Sequence, residues 1–285
     1  MRVLCLGGGG LIASALKKWL PELSPQALVF LDRQACDITH AEQVATAFET
    51  HQPTHVINAA AMTDVDACET AIDCARNING HSVKTIASHC HQYKAVLVHF
   101  STDYVFNGVA SSPYSEDAVT DPINMYGQSK LMGDQFVQHE LDAHYILRVQ
   151  WVFGHEKPNF IDAILNKARQ GAALRVVNDQ FGSPTSAQII AKAVVNLILN
   201  SPAYGVYHFR TLGHTHWCDV AQYCLDAYGL KVPITPVSSA EYPRPATRPK
   251  NGVLNTAKWV YADLYTPPTW QQAIDEYLNI KKGDD

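Results

Sequence analysis

A chain of 285 residues, 47% of them hydrophobic and 17% charged, can bury a large core, which excludes a disordered, collagen-like or low-complexity protein. With 22 basic against 27 acidic side chains and a net charge of −5, it lacks the positive footprint of a nucleic-acid or anionic-membrane binder, and neither partner is expected. No apolar run reaches membrane-spanning length, Met1-Arg2-Val3-Leu4-Cys5-Leu6 runs into four glycines rather than an export signal, and the seven cysteines are scattered without a Cys-x-x-Cys pair. These features predict a cytoplasmic protein with free thiols.

In chain order, short β-branched runs alternate with helical patterns. A strand at residues 3–6 precedes a helix at 10–20, a strand at 28–31 precedes a helix at 41–51, and a strand at 55–58 precedes a helix at 71–91. A strand at 95–100, a long loop, a helix at 125–140 and a strand at 145–147 follow. The strands are near-continuous apolar runs, as a parallel sheet covered by helices on both faces requires. The predicted class is α/β: a Rossmann-like doubly wound parallel sheet with a smaller C-terminal region. Beyond Trp151 the rhythm loosens, and the proline-rich stretch 242–249 fits neither helix nor central strand.

Gly7-Gly8-Gly9-Gly10 lies between the first strand and its helix, where glycines allow a tight turn and bring backbone N–H groups against a pyrophosphate. Four glycines would also make a plain flexible turn. Asp32, ending the second strand 22 residues beyond Gly10, argues for the dinucleotide, because a carboxylate there accepts hydrogen bonds from the adenosine ribose and repels a 2′-phosphate. Arg33 has the opposite preference, so NADH is favoured and NADPH stays open. Residues 1–155 are read as the dinucleotide-binding domain, completed by a later segment near 174–200, and residues 156–285 mainly as the substrate-binding region.

Thr102 follows the fourth strand, and Tyr126 and Lys130 stand one turn apart on one helix face. A phenol with a reference pKa near 10 needs a neighbouring positive charge to exchange protons near neutrality, and Lys130 is placed to supply it. Thr102 adds a second donor to the same carbonyl oxygen. In isolation Tyr-x-x-x-Lys is a common exposed helix pair; downstream of a dinucleotide pattern it marks a carbonyl reductase. His89-x-His91 and His214-x-His216 lack the further ligands of a zinc site, so no metal is expected. No Gly-x-Ser-x-Gly elbow supports a serine hydrolase.

The ordered segments Val56-Ile57-Asn58-Ala59-Ala60-Ala61, His99-Phe100-Ser101-Thr102-Asp103-Tyr104-Val105-Phe106, Tyr126-Gly127-Gln128-Ser129-Lys130-Leu131 and Val176-Val177-Asn178-Asp179-Gln180-Phe181-Gly182-Ser183-Pro184-Thr185 carry a family resemblance. The chain resembles the extended short-chain dehydrogenase/reductases, and among them the dTDP-4-dehydrorhamnose reductase family, over nearly its whole length. The resemblance implies catalysis by Thr102, Tyr126 and Lys130, with Tyr126 and Lys130 also contacting the cofactor, Lys130 at the nicotinamide ribose. It implies cofactor contacts from Gly7, Gly10, Leu11, Ile12, Asp32, Arg33, Asp37, Ile38, Ala59, Ala60 and Ala61. The sugar pocket implied is lined by Thr63, Val65, Thr102, Asp103, Tyr104 and Trp151.

The implied reaction is reduction of a nucleotide-linked 4-keto-6-deoxyhexose by NADH or NADPH, dTDP-4-dehydro-L-rhamnose giving dTDP-L-rhamnose. Reductases of other nucleotide sugars, and the non-catalytic regulatory subunits of methionine adenosyltransferase, share the fold; the complete Thr102, Tyr126 and Lys130 set favours catalysis. Ala13 replaces the usual third glycine. Ala15 and Gln188 stand where magnesium-bridged dimers of the family carry carboxylates, so a homodimer, if formed, is expected to use another interface. Arg244 and Arg248 are candidate diphosphate partners, with an ordinary solvated loop the equal alternative.

Overall fold

A computed structural model describes residues 1–284. The chain opens with β1 (Arg2–Leu6), α1 (Leu11–Trp19), β2 (Ala27–Leu31), α2 (Ala41–His51) and β3 (His55–Asn58). Next come α3 (Val65–Thr70), α4 (Ile72–Arg76), α5 (Ser82–Tyr93), β4 (Val96–Thr102), α6 (Met125–Glu140) and β5 (His144–Val149). Short strands β6 (Val152–Phe153), β7 (Leu174–Val177), β8 (Phe181–Gly182) and β9 (Thr185–Ser186), with α7 (Phe160–Arg169), lead to α8 (Ala187–Asn200) and β10 (Gly205–His208). The remainder holds β11 (Thr215–His216), α9 (Trp217–Ala227), β12 (Ile234–Val237), α10 (Ala257–Tyr261) and α11 (Trp270–Asp284).

Six strands form one parallel sheet in the order β10-β5-β4-β3-β1-β2. The five strands expected between residues 3 and 147 are all present, and the sixth, β10, reaches the edge beside β5 after α8. Strand period decides which face each side chain serves. Val3, Cys5, Ile57, Val98, Leu147 and Tyr207 pack with α1 and α8, while Leu4, Leu6, Val56, Leu97 and Ile146 pack with α2, α5 and α6. Leu4, Leu6 and Ile57 are wholly buried, and each such side chain contributes about 1.5–3 kcal/mol.

At its carboxyl end the second face changes character. Asn58, His99, Ser101, Arg148 and His208 share the parity of the apolar residues before them, yet are polar and buried. Strand order reverses at β1 and β3, and a doubly wound sheet opens its crevice at the carboxyl ends of such neighbours.

The helix expected over 71–91 is present as an unbroken helical run over 72–93, with one irregular turn inside it. Between α4 and α5 the residues Asn77–His81 form a wide π-helical turn. Asn79 causes it: its side chain accepts from Met62 N at 2.9 Å and donates to Met62 O and to Ser129 Oγ, both at 3.0 Å. These long-range bonds hold Asn79 inward at the expense of the regular helical ladder. The stretch 242–249 is free of helix and strand, as its prolines dictate.

Gly7 turns the chain out of β1 with φ +82°, and a Cβ there would lie 2.5 Å from Ala60 N. Gly7→Ala therefore combines a left-handed backbone with a backbone clash at the crevice. It is expected to lower unfolding stability by about 1–3 kcal/mol, read as the midpoint of a urea titration.

Candidate active site

The crevice has two connected chambers. Gly10, Ala59, Ala60, Ala61 and Lys157 border both. The first chamber, about 490 Å³, lies over the glycine turn, where Gly8 N donates to Leu31 O at 2.8 Å and Gly10 N to Gly7 O at 2.9 Å. Helix α1 starts at Gly10 with no side-chain cap and no acidic residue in its first turn, so its leading N–H groups and positive dipole end face no competing anion of its own. A pyrophosphate fits this cradle.

Gly7, Gly10, Asp32, Arg33, Asp37, Ile38 and the alanines 59–61 all border the first chamber, as expected of them. Asp32 Oδ1 accepts from Gln34 N and Ala35 N, both at 3.0 Å, which fixes the carboxylate at the end of β2. Arg33 Nε instead pairs with Asp37 Oδ2 at 3.1 Å. The Thr39 backbone N–H, then its hydroxyl and Arg33, hold the Asp37 carboxyl below the usual carboxylate range.

The second chamber, about 450 Å³, collects Leu11, Ile12, Thr63, Val65, Thr102, Asp103, Tyr104, Tyr126, Lys130 and Trp151. Apart from Arg244 and Arg248, every site residue expected from sequence thus borders one chamber or the other. Asn124 caps α6 by accepting from Gly127 N at 2.8 Å, which starts the helix at Met125, one residue before Tyr126. A Cβ on Gly127 would meet Tyr104 O at 2.1 Å; only glycine lets α6 pass this close to the turn after β4. Tyr126 consequently lies edge-on to Tyr104, with ring centroids 5.7 Å apart.

Burial pushes the Tyr126 phenol above its ordinary value, while a hydrogen bond with Thr102 pulls the other way. Desolvation outweighs the lowering that the spacing had suggested for Lys130. Its ammonium donates to Phe100 O at 2.6 Å and lies 3.4 Å from His99 Nε2, and its own burial brings it down to about 8. Thr102 Oγ1 donates to Asp103 Oδ1 at 3.1 Å, and desolvation raises the Asp103 carboxyl to about 7.

Several bordering residues had no signal in local sequence. Trp217 stacks on Trp151 at 3.7 Å between ring centroids, and Trp151 itself sits at φ +45°, a strained backbone for a bulky residue. Gln150 is 1% exposed, and its amide has no hydrogen-bond partner among the described residues. Lys157 brings a cation to the border of both chambers from the loop before α7. Only the fold places these residues near Thr102.

Arg244 and Arg248 do not border either chamber. Asp66 on α3 holds both: Arg244 Nε donates to its Oδ2 at 2.9 Å and Arg248 Nη1 to its Oδ1 at 2.5 Å. The two guanidiniums pin the proline-rich segment to α3, and Arg248 also bonds the Tyr104 side chain. Neither expected role, phosphate contact or plain solvated loop, describes this clasp.

The family model for the RmlD substrate binding domain matches residues 1–282. The spore coat polysaccharide biosynthesis protein SpsK of Bacillus subtilis is 35% identical over 282 residues, covering 99% of this chain and 98% of that protein. The dTDP-4-dehydrorhamnose reductase of Escherichia coli K12 is 34% identical over 293 residues, covering 98% and 97%. The crystal structure of the Bacillus anthracis dTDP-4-dehydrorhamnose reductase in complex with NADP superposes with a TM-score of 0.93 at 30% identity, covering 97% of this chain and 98% of that one.

The clasp makes a pH-dependent contribution to stability. Hydrogen bonding to Arg248, foremost, holds the Asp66 carboxyl well below its usual value, so the contribution is full above the ordinary carboxylate range and fades as pH falls through it. Asp66→Ala is expected to cost about 1–2 kcal/mol near neutrality and progressively less in acid, measured by thermal unfolding across a pH series.

Proposed function

Because the chain belongs to the RmlD substrate binding domain family, we propose that it reduces the 4-keto group of a nucleotide-linked 4-keto-6-deoxyhexose, with dTDP-4-dehydro-L-rhamnose as substrate and dTDP-L-rhamnose as product. One observation carries this reading: Thr102, Tyr126 and Lys130 border a chamber that joins the glycine cradle through Gly10 and the alanines 59–61. Its seven free thiols fit a cytoplasmic location.

Gly7, Gly10 and the start of α1 would hold the pyrophosphate of NADH or NADPH, Asp32 the adenosine ribose, and Lys130 the nicotinamide ribose. When bound, the reduced dinucleotide supplies hydride to the carbonyl carbon. Tyr126 donates its phenolic proton to the carbonyl oxygen, which balances the reduction of C=O to CH–OH. Desolvation of Tyr126 serves this direction, since it keeps the phenol protonated at neutral pH. Thr102 gives the developing alkoxide a second donor, and the Lys130 ammonium offsets the phenolate left behind. The sugar lies along Thr63, Val65, Tyr104 and Trp151.

The proposal is tested by following reduced-dinucleotide absorbance with dTDP-4-dehydro-L-rhamnose and either cofactor. Turnover supports it; a preference for a GDP- or UDP-linked sugar reassigns the base, and intact cofactor binding without any turnover overturns it. Tyr126→Phe removes the proton but keeps the ring, and kcat is expected to fall by about 10²–10⁴ with dinucleotide affinity unchanged. Asp32→Ala is expected to raise the NADPH-to-NADH ratio of kcat/KM several-fold, about what one lost charge repulsion and ribose hydrogen bond supply.

A further inference from the structure

Tyr126, Lys130 and Asp134 recur every four residues along α6 and so form one stripe, of which the proposed chemistry uses only the first two. Asp134 is fully buried. Its Oδ2 accepts from Ser101 Oγ at 2.7 Å and lies 3.6 Å from Arg148 Nε, while its Oδ1 has no hydrogen-bond partner among the described residues and sits 3.7 Å from His99 Nε2. A sealed carboxylate placed this way is costly unless its charge is needed.

The ring between Asp134 and Lys130 is oriented from below. Asn58 Oδ1 accepts from Ala60 N at 3.2 Å, and its amide nitrogen lies 3.2 Å from His99 Nδ1, which fixes the plane of the ring. The other ring nitrogen, Nε2, lies between Asp134 Oδ1 and the Lys130 ammonium. Burial and the neighbouring ammonium hold His99 neutral; burial also raises the Asp134 carboxyl, and Arg148 and then Lys130 oppose that rise, so the one carboxylate of this cluster is held between two cations.

We propose that Asp134 is a positioning residue of the reduction: across the neutral ring of His99 it provides the buried counter-charge that keeps Lys130 an ammonium in the wall of the active-site chamber. This rests on the reading of Lys130 given above. Desolvation alone draws the Lys130 proton off, and Asp134 is the charge that opposes it. Without the carboxylate, Lys130 becomes a neutral amine at working pH and can no longer balance the Tyr126 phenolate. The other titratable groups around this stripe include Asp103 and Tyr104 after β4 and Cys68 of α3, which interact with Tyr126, Arg148 of β5, which faces Asp134, and His144 of β5, which interacts with His99 and Asp134. The π-helical turn presents the neutral Asn79, and Lys84 of α5 pairs with Glu140 near the far end of α6.

The test compares pH profiles of kcat/KM for the wild-type chain and Asp134→Asn, alongside the pH dependence of NADH affinity by fluorescence. The alkaline limb is expected to move down by about one to two pH units in the variant, giving roughly a tenfold loss near pH 8 that closes near pH 6. Arg148 is left without its counter-ion in that variant, so Asp134→Asn/Arg148→Met supplies a second, charge-balanced form with the same expected shift. A folded variant with an unmoved alkaline limb, whether its rate is unchanged or uniformly lowered, overturns the proposal. Absence of turnover in the wild-type chain would instead sink the reductase reading, and the limb of NADH affinity would still decide the role of Asp134.

Discussion

The burial of one ammonium governs the layout of the active site. Lys130 is 3% exposed, and a cation so placed demands hydrogen-bond acceptors and a counter-charge nearby. Phe100 supplies a carbonyl from β4, and Asp134 supplies the charge from the next turn of α6. Both require helix and strand to run close together. Of the polar residues at the carboxyl ends of the strands, His99 of β4 lies against the ammonium, while Ser101 of β4 and Arg148 of β5 meet Asp134.

Close passage of α6 is achieved with small residues rather than with special loops. Gly127 admits the carbonyl of Tyr104, and a Cβ on Gly133 would meet Asn79 O at 2.3 Å. The second contact falls on the π-helical turn, so the irregular backbone of 77–81 and the seating of α6 are two sides of one packing arrangement. From there Asn79 reaches Ser129, which lies between the two residues that carry the proposed chemistry. The dinucleotide end uses a different economy. Its cradle is backbone, an uncapped helix start and a glycine turn, with Asp32 as a fixed carboxylate and Arg33 turned onto Asp37.

The sugar side is assembled from parts far apart in the chain. Trp151 leaves β5 in a left-handed conformation and meets Trp217 from the start of α9, while Asp66 gathers Arg244 and Arg248 onto α3. The second chamber therefore takes part of its lining from residues beyond β5, whereas the first is built, apart from Lys157, from residues 7–78.

That difference explains what could be read from the sequence. Local patterns determined the alternating strands and helices, the glycine turn, Asp32 at the end of β2, and Tyr126 and Lys130 on one helix face, because each is a short-range consequence of backbone period or turn chemistry. The residues that the family resemblance added border one chamber or the other, and Arg244 and Arg248 do not. Tertiary structure alone decided the wide turn at Asn77–His81, the clasp of two arginines by Asp66, the stacking of Trp217 on Trp151 and the direction in which the Tyr126 phenol shifts. The physical reason is range: spacing along a helix places Lys130 beside Tyr126, but desolvation and charge pairing depend on the whole shell of neighbours, and those neighbours are brought in from distant strands.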